Sequence, residues 1–300
     1  MDISRVQTAL RGIAVTTVTP FTSDLQRVDV DGIAANLEFL VRAGVKLVIP
    51  CGNTGEFYSL SEHEWTEVVG AVMGAAQDRL VVMPGVGHSI KTAIAQVEEA
   101  QKLGAQCVMV MYPQHVFQSE EGLFDYYSEI LAAAKDIGVA LYKKGPLLTD
   151  GMLSKLVKYR NLIAVKYAFG RVVDFTKSVQ TLGKPFIWSC GTAERFAPFF
   201  WLAGAEGLTT GLGNFAPRIS QRMYDSLKSG DMTEAMRIHE MITPFEDLRE
   251  GRGAANNVPV VKAVMDKMGL AGGDCRPPIH KLTQSEREAA LASVKLWGLW

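Results

Sequence analysis

The sequence predicts an α/β fold, a (β/α)8 TIM barrel with a helical region at its C-terminal end. Short apolar runs alternate with amphipathic stretches eight times within residues 1–230, and no Pro/Gly-rich linker interrupts them. Eight strand–helix units are what a closed parallel barrel requires, and right-handed crossovers favour closure. An open doubly wound sheet built from the same alternation is the alternative.

Each unit is predicted from its own pattern. Compact apolar runs predict the eight strands, at 13–19, 46–51, 80–84, 107–111, 139–142, 162–168, 186–190 and 207–211. Apolar residues at helical spacing predict the intervening helices, at 29–43, 61–76, 89–103, 120–136 and 149–159 and from residues 171, 193 and 217. The helix at 61 also has a capping box, Ser61 with Glu64.

The remainder of the chain, residues 231–300, is predicted to be a helical region packed on the barrel. Three helical patterns fall within it, at 232–248, 259–268 and 285–297. The barrel, residues 1–230, is expected to carry the active site, because barrel enzymes place their chemistry on the loops after the strands.

Composition limits the classes of partner. The chain has 300 residues, 48% hydrophobic and 21% charged, with a net charge of −1. This gives no basic surface for nucleic acid or an anionic membrane, so a small-molecule partner is expected. The start, Met1 to Arg5, has no apolar signal core, and no run approaches the roughly 20 apolar residues of a membrane span.

The four cysteines are scattered without metal-ligand spacing, which predicts no metal site. Three of them end apolar, strand-like runs. Buried free thiols in a reducing compartment are therefore expected, and a cytoplasmic location with them.

Lys166 is the first candidate for chemistry. It lies in the apolar strand 162–168, where alternation places it on one face with Ala164 and Ala168. These small neighbours leave room around its amine. One interpretation is a lysine whose stem packs while its ammonium reaches water. The other is an amine whose pKa is lowered by burial from about 10.4 toward 7 or 8, so that it attacks a carbonyl.

Two further strand ends support the second interpretation. Tyr142 ends the preceding strand among small neighbours, where it is either a core residue or a proton donor and acceptor beside the lysine. The loop Gly52-Asn53-Thr54-Gly55-Glu56 follows the second strand. Its glycines allow a sharp turn that presents amides and a hydroxyl to a carboxylate, although a simple tight turn would have the same sequence.

Taken together, these residues resemble the dihydrodipicolinate synthase and N-acetylneuraminate lyase family. The similarity is spread along the chain in the family's order: Thr19-Pro20-Phe21, Gly52-Asn53-Thr54-Gly55-Glu56, Glu121-Gly122-Leu123, Tyr142, Val165-Lys166, Gly213-Asn214 and Cys275-Arg276-Pro277-Pro278. The resemblance implies a TIM barrel, usually a homotetramer. It also implies an enzyme that uses no metal or organic cofactor and binds 2-oxo acids as a Schiff base.

The resemblance also assigns roles. Lys166 becomes the Schiff-base lysine, and Tyr142 becomes the residue that shuttles the proton. The site for the 1-carboxylate of the substrate comprises Gly52, Asn53, Thr54 and Gly55. Four further residues are possible members of the site: His115, Lys143, Gly191 and Asn214.

The sequence departs from the family pattern at three places. Asn53 replaces a hydroxyl residue of a proton relay, and an amide cannot relay a proton in the same way. His115 stands where many members have a tyrosine that crosses a subunit interface. The loop 143–149 lacks the arginine that holds aspartate semialdehyde in the synthases. Its Lys143 and Lys144 are either solvated or contacts for a distal carboxylate.

The sequence therefore predicts a lyase that is a 2-oxo sugar acid aldolase or dehydratase, similar to 5-dehydro-4-deoxyglucarate dehydratase. The strings 55–60 and 148–149 favour that branch. One alternative is a 4-hydroxy-tetrahydrodipicolinate synthase, which condenses pyruvate with aspartate semialdehyde. Another is a non-catalytic 2-oxo acid binding protein on the same barrel, because a fold does not fix a function.

Overall fold

A computed structural model describes residues 3–300. Met1 and Asp2 lie outside the described residues. The predicted barrel region and the predicted signal-free start both begin with these two residues. Within the described residues one parallel sheet is built from nine strands: β1 (Ile13–Val15), β2 (Leu47–Val48), β3 (Val81–Val82), β4 (Gly85–Val86), β5 (Cys107–Val110), β6 (Gly138–Lys143), β7 (Leu162–Tyr167), β8 (Ile187–Cys190) and β9 (Gly207–Thr210).

The sheet closes on itself through β3 and β4. These strands stand at the two ends of the pairing order β3-β2-β1-β9-β8-β7-β6-β5-β4, yet only Met83 and Pro84 separate them. Met83 N–H donates to the Val48 carbonyl at 2.9 Å, and Met109 N–H donates to the Pro84 carbonyl at 2.8 Å. The two pieces are thus one barrel strand, interrupted where proline has no N–H to donate. The predicted eight-stranded TIM barrel is confirmed, and the open sheet is excluded.

Helices surround this sheet and extend beyond it. The outer layer consists of α2 (Val30–Arg42), α3 (Glu62–Ala76), α4 (Ile90–Lys102), α5 (Glu120–Ala133), α6 (Asp150–Leu156), α7 (Val172–Leu182), α8 (Ala197–Leu202) and α9 (Pro217–Ser229), preceded by α1 (Ile3–Leu10). The C-terminal helices are α10 (Met232–Arg249), α11 (Asn257–Lys267) and α12 (Gln284–Ser293), of which α10 packs against α8 and α9.

The sequence analysis missed α1, although its spacing carried a helical signal. Val6, Ala9 and Leu10 recur at helical intervals, and all three are buried. The helix packs against β1 and β3. Because it is only two turns long, its pattern is too short to stand out from the apolar run that follows.

The predicted capping box at α3 is confirmed. The Ser61 hydroxyl accepts from the Glu64 N–H at 3.2 Å, and the Glu64 carboxylate accepts from the Ser61 N–H at 3.0 Å. These reciprocal bonds satisfy two N–H groups that a helix start otherwise leaves without partners.

The core comprises the barrel interior and the layer between barrel and helices. All four cysteines are buried and unpaired, as expected. Among residues 3–300 no helix combines the length and hydropathy needed to cross a bilayer.

Candidate active site

Lys166 and Tyr142 occupy paired positions on adjacent strands. The register of β6 and β7 places Tyr142 directly beside Lys166. The lysine side chain turns toward the barrel interior, because the next residue, Tyr167, packs against Phe175 and Trp188 on the opposite face. The Lys166 nitrogen lies 4.4 Å from the centre of the Tyr142 ring. Strand alternation therefore brings an amine and a phenol together.

Both groups have strongly perturbed acidities. Lys166 is only 6% exposed, and this burial lowers the pKa of its amine to about 7. The nearby charge of Lys144 lowers the pKa further, while Cys190 has a weaker opposite effect. Burial raises the pKa of the Tyr142 phenol above its ordinary value. At neutral pH a large fraction of Lys166 is consequently uncharged, which the second interpretation of the sequence requires.

The loop after β2 is shaped by close packing. A Cβ atom on Gly52 would lie 2.6 Å from the Thr16 side chain, and one on Gly55 would lie 2.9 Å from the Thr17 carbonyl oxygen. Only glycine fits such approaches. Between them the buried Thr54 faces the cavity.

Asn53 connects this loop to Tyr142. Its side-chain amide donates a hydrogen bond to the phenol oxygen at 3.1 Å. This bond opposes the effect of burial by lowering the pKa of Tyr142. An amide at residue 53 therefore orients the phenol and favours its ionised form, while it has no hydroxyl proton to pass on.

Gly191, just after β8, lies against the lysine stem. A Cβ atom there would stand 2.9 Å from Cγ of Lys166 and 2.8 Å from the Tyr167 carbonyl oxygen. The absence of a side chain at residue 191 thus leaves the lysine its space. Gly191 also lines the cavity.

These residues border a cavity of about 380 Å³ at the C-terminal ends of the strands. Its wall near the barrel contains groups from the ends of several strands and from the loops after them: Thr16, Asn53, Thr54, Tyr142, Lys144, Lys166, Gly191, Thr192, Thr209 and Thr210. A small organic acid fits such a volume. Thr16, Thr192, Thr209 and Thr210 were not predicted, although each lies within two residues of the C-terminal end of a strand in the structure.

The two lysines after Tyr142 lie in different environments. Lys144 lines the cavity, whereas the neighbouring Lys143 is buried on the opposite face of β6. The ammonium of Lys143 donates to the Leu148 carbonyl and lies 5.4 Å from the centre of the Tyr167 ring. Lys143 therefore fastens its own loop, and Lys144 supplies the charge near the amine.

Two other candidates do not line this cavity. His115 is on an exposed loop, where its Nδ1 accepts from the Phe117 N–H at 3.1 Å. Asn214 is buried, and its side chain is engaged with backbone groups, accepting from the Val18 N–H at 3.0 Å and donating to the Thr16 carbonyl at 2.9 Å. It fastens the loop after β9 to the loop after β1.

The far wall of the cavity comes from the C-terminal region, which the sequence analysis did not connect with the site. Glu246 and Arg249 of α10 and Asn257 of α11 lie there. Arg249 forms a buried ion pair with Glu246 at 2.8 Å and donates to the Asn257 side chain at 2.9 Å. No local pattern indicated these contacts, because the charged residues lie on an ordinary amphipathic helix.

Among residues 3–300 no group of three or more His, Cys, Asp or Glu side chains is arranged to hold a metal ion. The Lys166 amine lies against the Tyr142 ring, and its acidity is influenced by Lys144 and Cys190.

Comparison with known proteins adds the family. A sequence profile described as the dihydrodipicolinate synthetase family matches residues 9–296. A 4-hydroxy-tetrahydrodipicolinate synthase of Methanopyrus kandleri is 29% identical over 296 residues, 97% of each chain. A probable 5-dehydro-4-deoxyglucarate dehydratase of Bacillus subtilis is 29% identical over 300 residues, 98% of this chain and 96% of the relative.

Among solved structures, the crystal structure of dihydrodipicolinate synthase from Oceanobacillus iheyensis superposes with a TM-score of 0.95 at 32% identity, and the match covers 100% of both chains. The similarity therefore extends through the barrel and the C-terminal helices alike. The resemblance that the sequence suggested is confirmed.

Proposed function

This chain belongs to the dihydrodipicolinate synthetase family of lyases, and we propose that it acts by forming a Schiff base between Lys166 and a 2-oxo acid. The observation that carries the proposal is the buried Lys166 amine, with a pKa of about 7, beside the ring of Tyr142 in the cavity. A protein that only bound an acid would not need an uncharged buried amine, so the non-catalytic alternative is weaker.

The first half of the reaction joins substrate to enzyme. The Thr54 hydroxyl, with the amides of its loop, holds the 1-carboxylate. Neutral Lys166 attacks the 2-oxo carbon, and Tyr142 transfers protons so that the carbonyl oxygen leaves as water. The product is a protonated imine, which withdraws electrons from the neighbouring carbon.

The second half breaks a bond near that carbon. Loss of a proton from carbon 3 gives an enamine, and the enamine expels a hydroxyl group from carbon 4 as water in a dehydration. In an aldol cleavage the bond between carbons 3 and 4 breaks instead, and the hydroxyl on carbon 4 becomes an aldehyde. Hydrolysis of the imine then releases the product and regenerates Lys166.

For the substrate we propose a 2-oxo sugar acid, as in 5-dehydro-4-deoxyglucarate dehydratase. Two observations support this class. The loop 143–149 contains no arginine, and its cavity-facing charge is Lys144. The cavity wall also carries Thr192, Thr209 and Thr210, hydroxyl groups of the kind that hydrogen-bond a polyol.

A 4-hydroxy-tetrahydrodipicolinate synthase is the second candidate. Relatives with that name are as similar to this chain as the dehydratase is, at 29% identity for the M. kandleri protein and the B. subtilis protein. The two candidates share the Schiff base and differ in the second reactant. The substrate comparison at the end of the Discussion separates them.

The Schiff base itself is tested by borohydride reduction in the presence of pyruvate or a 2-oxo sugar acid. We expect a stable adduct that peptide mass spectrometry locates on Lys166, and no adduct in Lys166→Ala. Lys143→Met is the matched control, because Lys143 is equally buried but faces away from the cavity. An adduct that persists in Lys166→Ala, or none with any 2-oxo acid, would refute the mechanism.

We also propose that the chain forms a homo-oligomer, a tetramer by family resemblance. The loop that carries His115 exposes two large apolar side chains, Val116 and Phe117, at 87% and 88%. Burial of such side chains against another subunit is favourable. Light scattering measures the assembly, and cell fractionation tests the expected cytoplasmic location.

A further inference from the structure

The loop that carries Thr54 is tied to the C-terminal region by a buried ion pair outside the cavity. We propose that Glu56 and Lys262 are positioning residues, which hold this loop so that Thr54 and its amides receive the carboxylate of the substrate. The inference rests on the proposed function, and it adds residues that contact no substrate themselves.

Lys262 of α11 is completely enclosed. Its ammonium lies 2.6 Å from the Glu56 carboxylate and donates to the carbonyls of Thr19 and Asp274 at 2.8 and 3.1 Å. A lysine ammonium has three N–H donors, and here each has an acceptor. Lys262 therefore joins three segments of the chain that are far apart in sequence.

Glu56 is equally enclosed and fully engaged. One carboxylate oxygen accepts a hydrogen bond from the Lys262 ammonium, and the other accepts one from the backbone N–H of Arg276 at 2.9 Å. Its backbone has a φ of 56°, in the left-handed region that non-glycine residues rarely occupy. Such a conformation persists only where the surroundings fix it, and here two partners of the carboxylate do so.

The network reaches within one residue of Thr54. The Thr19 hydroxyl donates to the Gly55 carbonyl at 2.8 Å, while Lys262 holds the carbonyl of the same threonine. Gly55 and Glu56, the two residues after Thr54, are thus both anchored to Lys262. Movement of this anchor would shift the Thr54 hydroxyl and the adjacent amides.

The pair is expensive to bury, so a stability role alone is a weak explanation of it. Ion pairs in the protein interior often contribute no more than well-packed apolar side chains of similar volume, because both charges lose their water. The ion pair can instead serve substrate binding by fixing the conformation of the loop. The loop donors then point toward the carboxylate before the substrate arrives, so less free energy is lost in ordering them on binding.

Four variants test the proposal. Glu56→Gln and Lys262→Met each remove one charge of the pair. The double variant removes both charges, and no unpaired charge is left in the interior. Thr19→Val leaves the pair intact and removes only the hydroxyl that holds Gly55. Thermal denaturation establishes which variants fold.

The readout compares two carbonyl compounds in borohydride trapping on Lys166. Pyruvate has the carboxylate that the loop is proposed to bind, and hydroxyacetone has none. In each folded variant we expect the half-saturating concentration of pyruvate to rise about tenfold or more, the effect of losing one charge-assisted hydrogen bond. Trapping of hydroxyacetone at a fixed concentration should be unchanged.

The matched control is Glu206→Gln. Glu206 pairs with Arg11 at 3.1 Å, next to the first residue of β9 and therefore at the opposite end of the barrel. It should leave the half-saturating concentration of pyruvate unchanged. A general loss of stability would instead affect both carbonyl compounds and would not depend on a carboxylate.

Equal trapping of pyruvate by wild type and folded variants would overturn the proposal, as would a parallel loss for both compounds. If the single charge variants do not fold, the double variant and Thr19→Val decide it in the same way. If wild type forms no adduct, the proposed function fails, and calorimetric binding of pyruvate then tests the loop. Equal affinity in wild type and the folded variants overturns the positioning role.

Discussion

The Lys166 nitrogen lies 4.4 Å from the centre of the Tyr142 ring, on the strand next to it. An aromatic face attracts an ammonium ion by about 0.5–2 kcal/mol, which alone would raise the pKa of the lysine. The pKa is instead lowered from 10.5 to about 7. Each pKa unit corresponds to about 1.4 kcal/mol, so burial outweighs the attraction of the ring. Tyr142 thus covers the amine without keeping it charged.

The first prediction concerns pH. The neutral amine is the nucleophile, and Lys166 is protonated below about 7. We expect kcat/KM for a 2-oxo acid to increase with pH and to level off above about 7, because kcat/KM reports ionisations of the free enzyme. If Lys166 had an ordinary pKa, kcat/KM would continue to increase by about tenfold per pH unit toward pH 10. A pH profile of initial rates distinguishes the two results.

The second prediction assigns part of this perturbation to Lys144. Its positive charge disfavours protonation of Lys166, so Lys144→Met should raise the pKa of Lys166 and move the pH profile to higher pH. Lys102→Met is the control, since Lys102 pairs with Glu99 on the surface of α4. The assignment fails if both variants give the wild-type profile.

The third prediction couples Tyr142 to Asn53. Tyr142→Phe should keep imine formation in part and lose turnover by about 10²- to 10⁴-fold, the usual contribution of a general acid–base group. Asn53→Ala should cause a smaller loss, because its hydrogen bond to the phenol lowers the pKa of Tyr142. In a Tyr142→Phe background the change at residue 53 should have no further effect on turnover. Additive losses of turnover in a double-mutant cycle would show that Tyr142 and Asn53 act independently.

The arrangement of Lys166 and Tyr142 could be predicted because it is local. Alternation along β7 fixes the face that a side chain occupies, and neighbouring parallel strands end at the same edge of a barrel. The strand–helix alternation likewise depends on patterns within a few residues. These parts of the sequence therefore predicted the fold and placed the amine beside the phenol.

Other parts depend on contacts that no local pattern contains. Lys262 and Glu56 are separated by 206 positions, and the sequence around neither residue indicates the other as its partner. Lys143 and Lys144 are adjacent and identical, and which one faces the cavity depends on β6 continuing to Lys143, one residue beyond the predicted strand end. The backbone contacts of Asn214 are equally invisible in a sequence, since a candidate ligand-binding amide and a structural amide have the same side chain.

The fourth prediction uses the space at Gly191. A methyl group there would meet Cγ of Lys166 at 2.9 Å and the Tyr167 carbonyl oxygen at 2.8 Å, so Gly191→Ala should displace the lysine and slow imine formation. Gly74→Ala is the matched control: no atom lies within 4 Å of its added methyl group, and alanine in a helix is favoured by about 0.5–1 kcal/mol. Rapid adduct formation by Gly191→Ala would show that the lysine adjusts without loss.

The fifth prediction is that the chain prefers a 2-oxo sugar acid to the pair of pyruvate and aspartate semialdehyde. An arginine holds a carboxylate by two parallel hydrogen bonds, whereas Lys144 offers a mobile point charge and the rest of its loop offers no other cation to the cavity. Losing one charge-assisted bond costs about 1.5–3 kcal/mol, or about a tenfold to hundredfold weaker hold on aspartate semialdehyde. The measurement compares kcat/KM for 5-dehydro-4-deoxyglucarate and related acids with that for the pair, in wild type and in Lys144→Met. Condensation with aspartate semialdehyde that is more efficient than every reaction of a sugar acid would establish the synthase instead. It would also show that another group takes the place of the missing arginine.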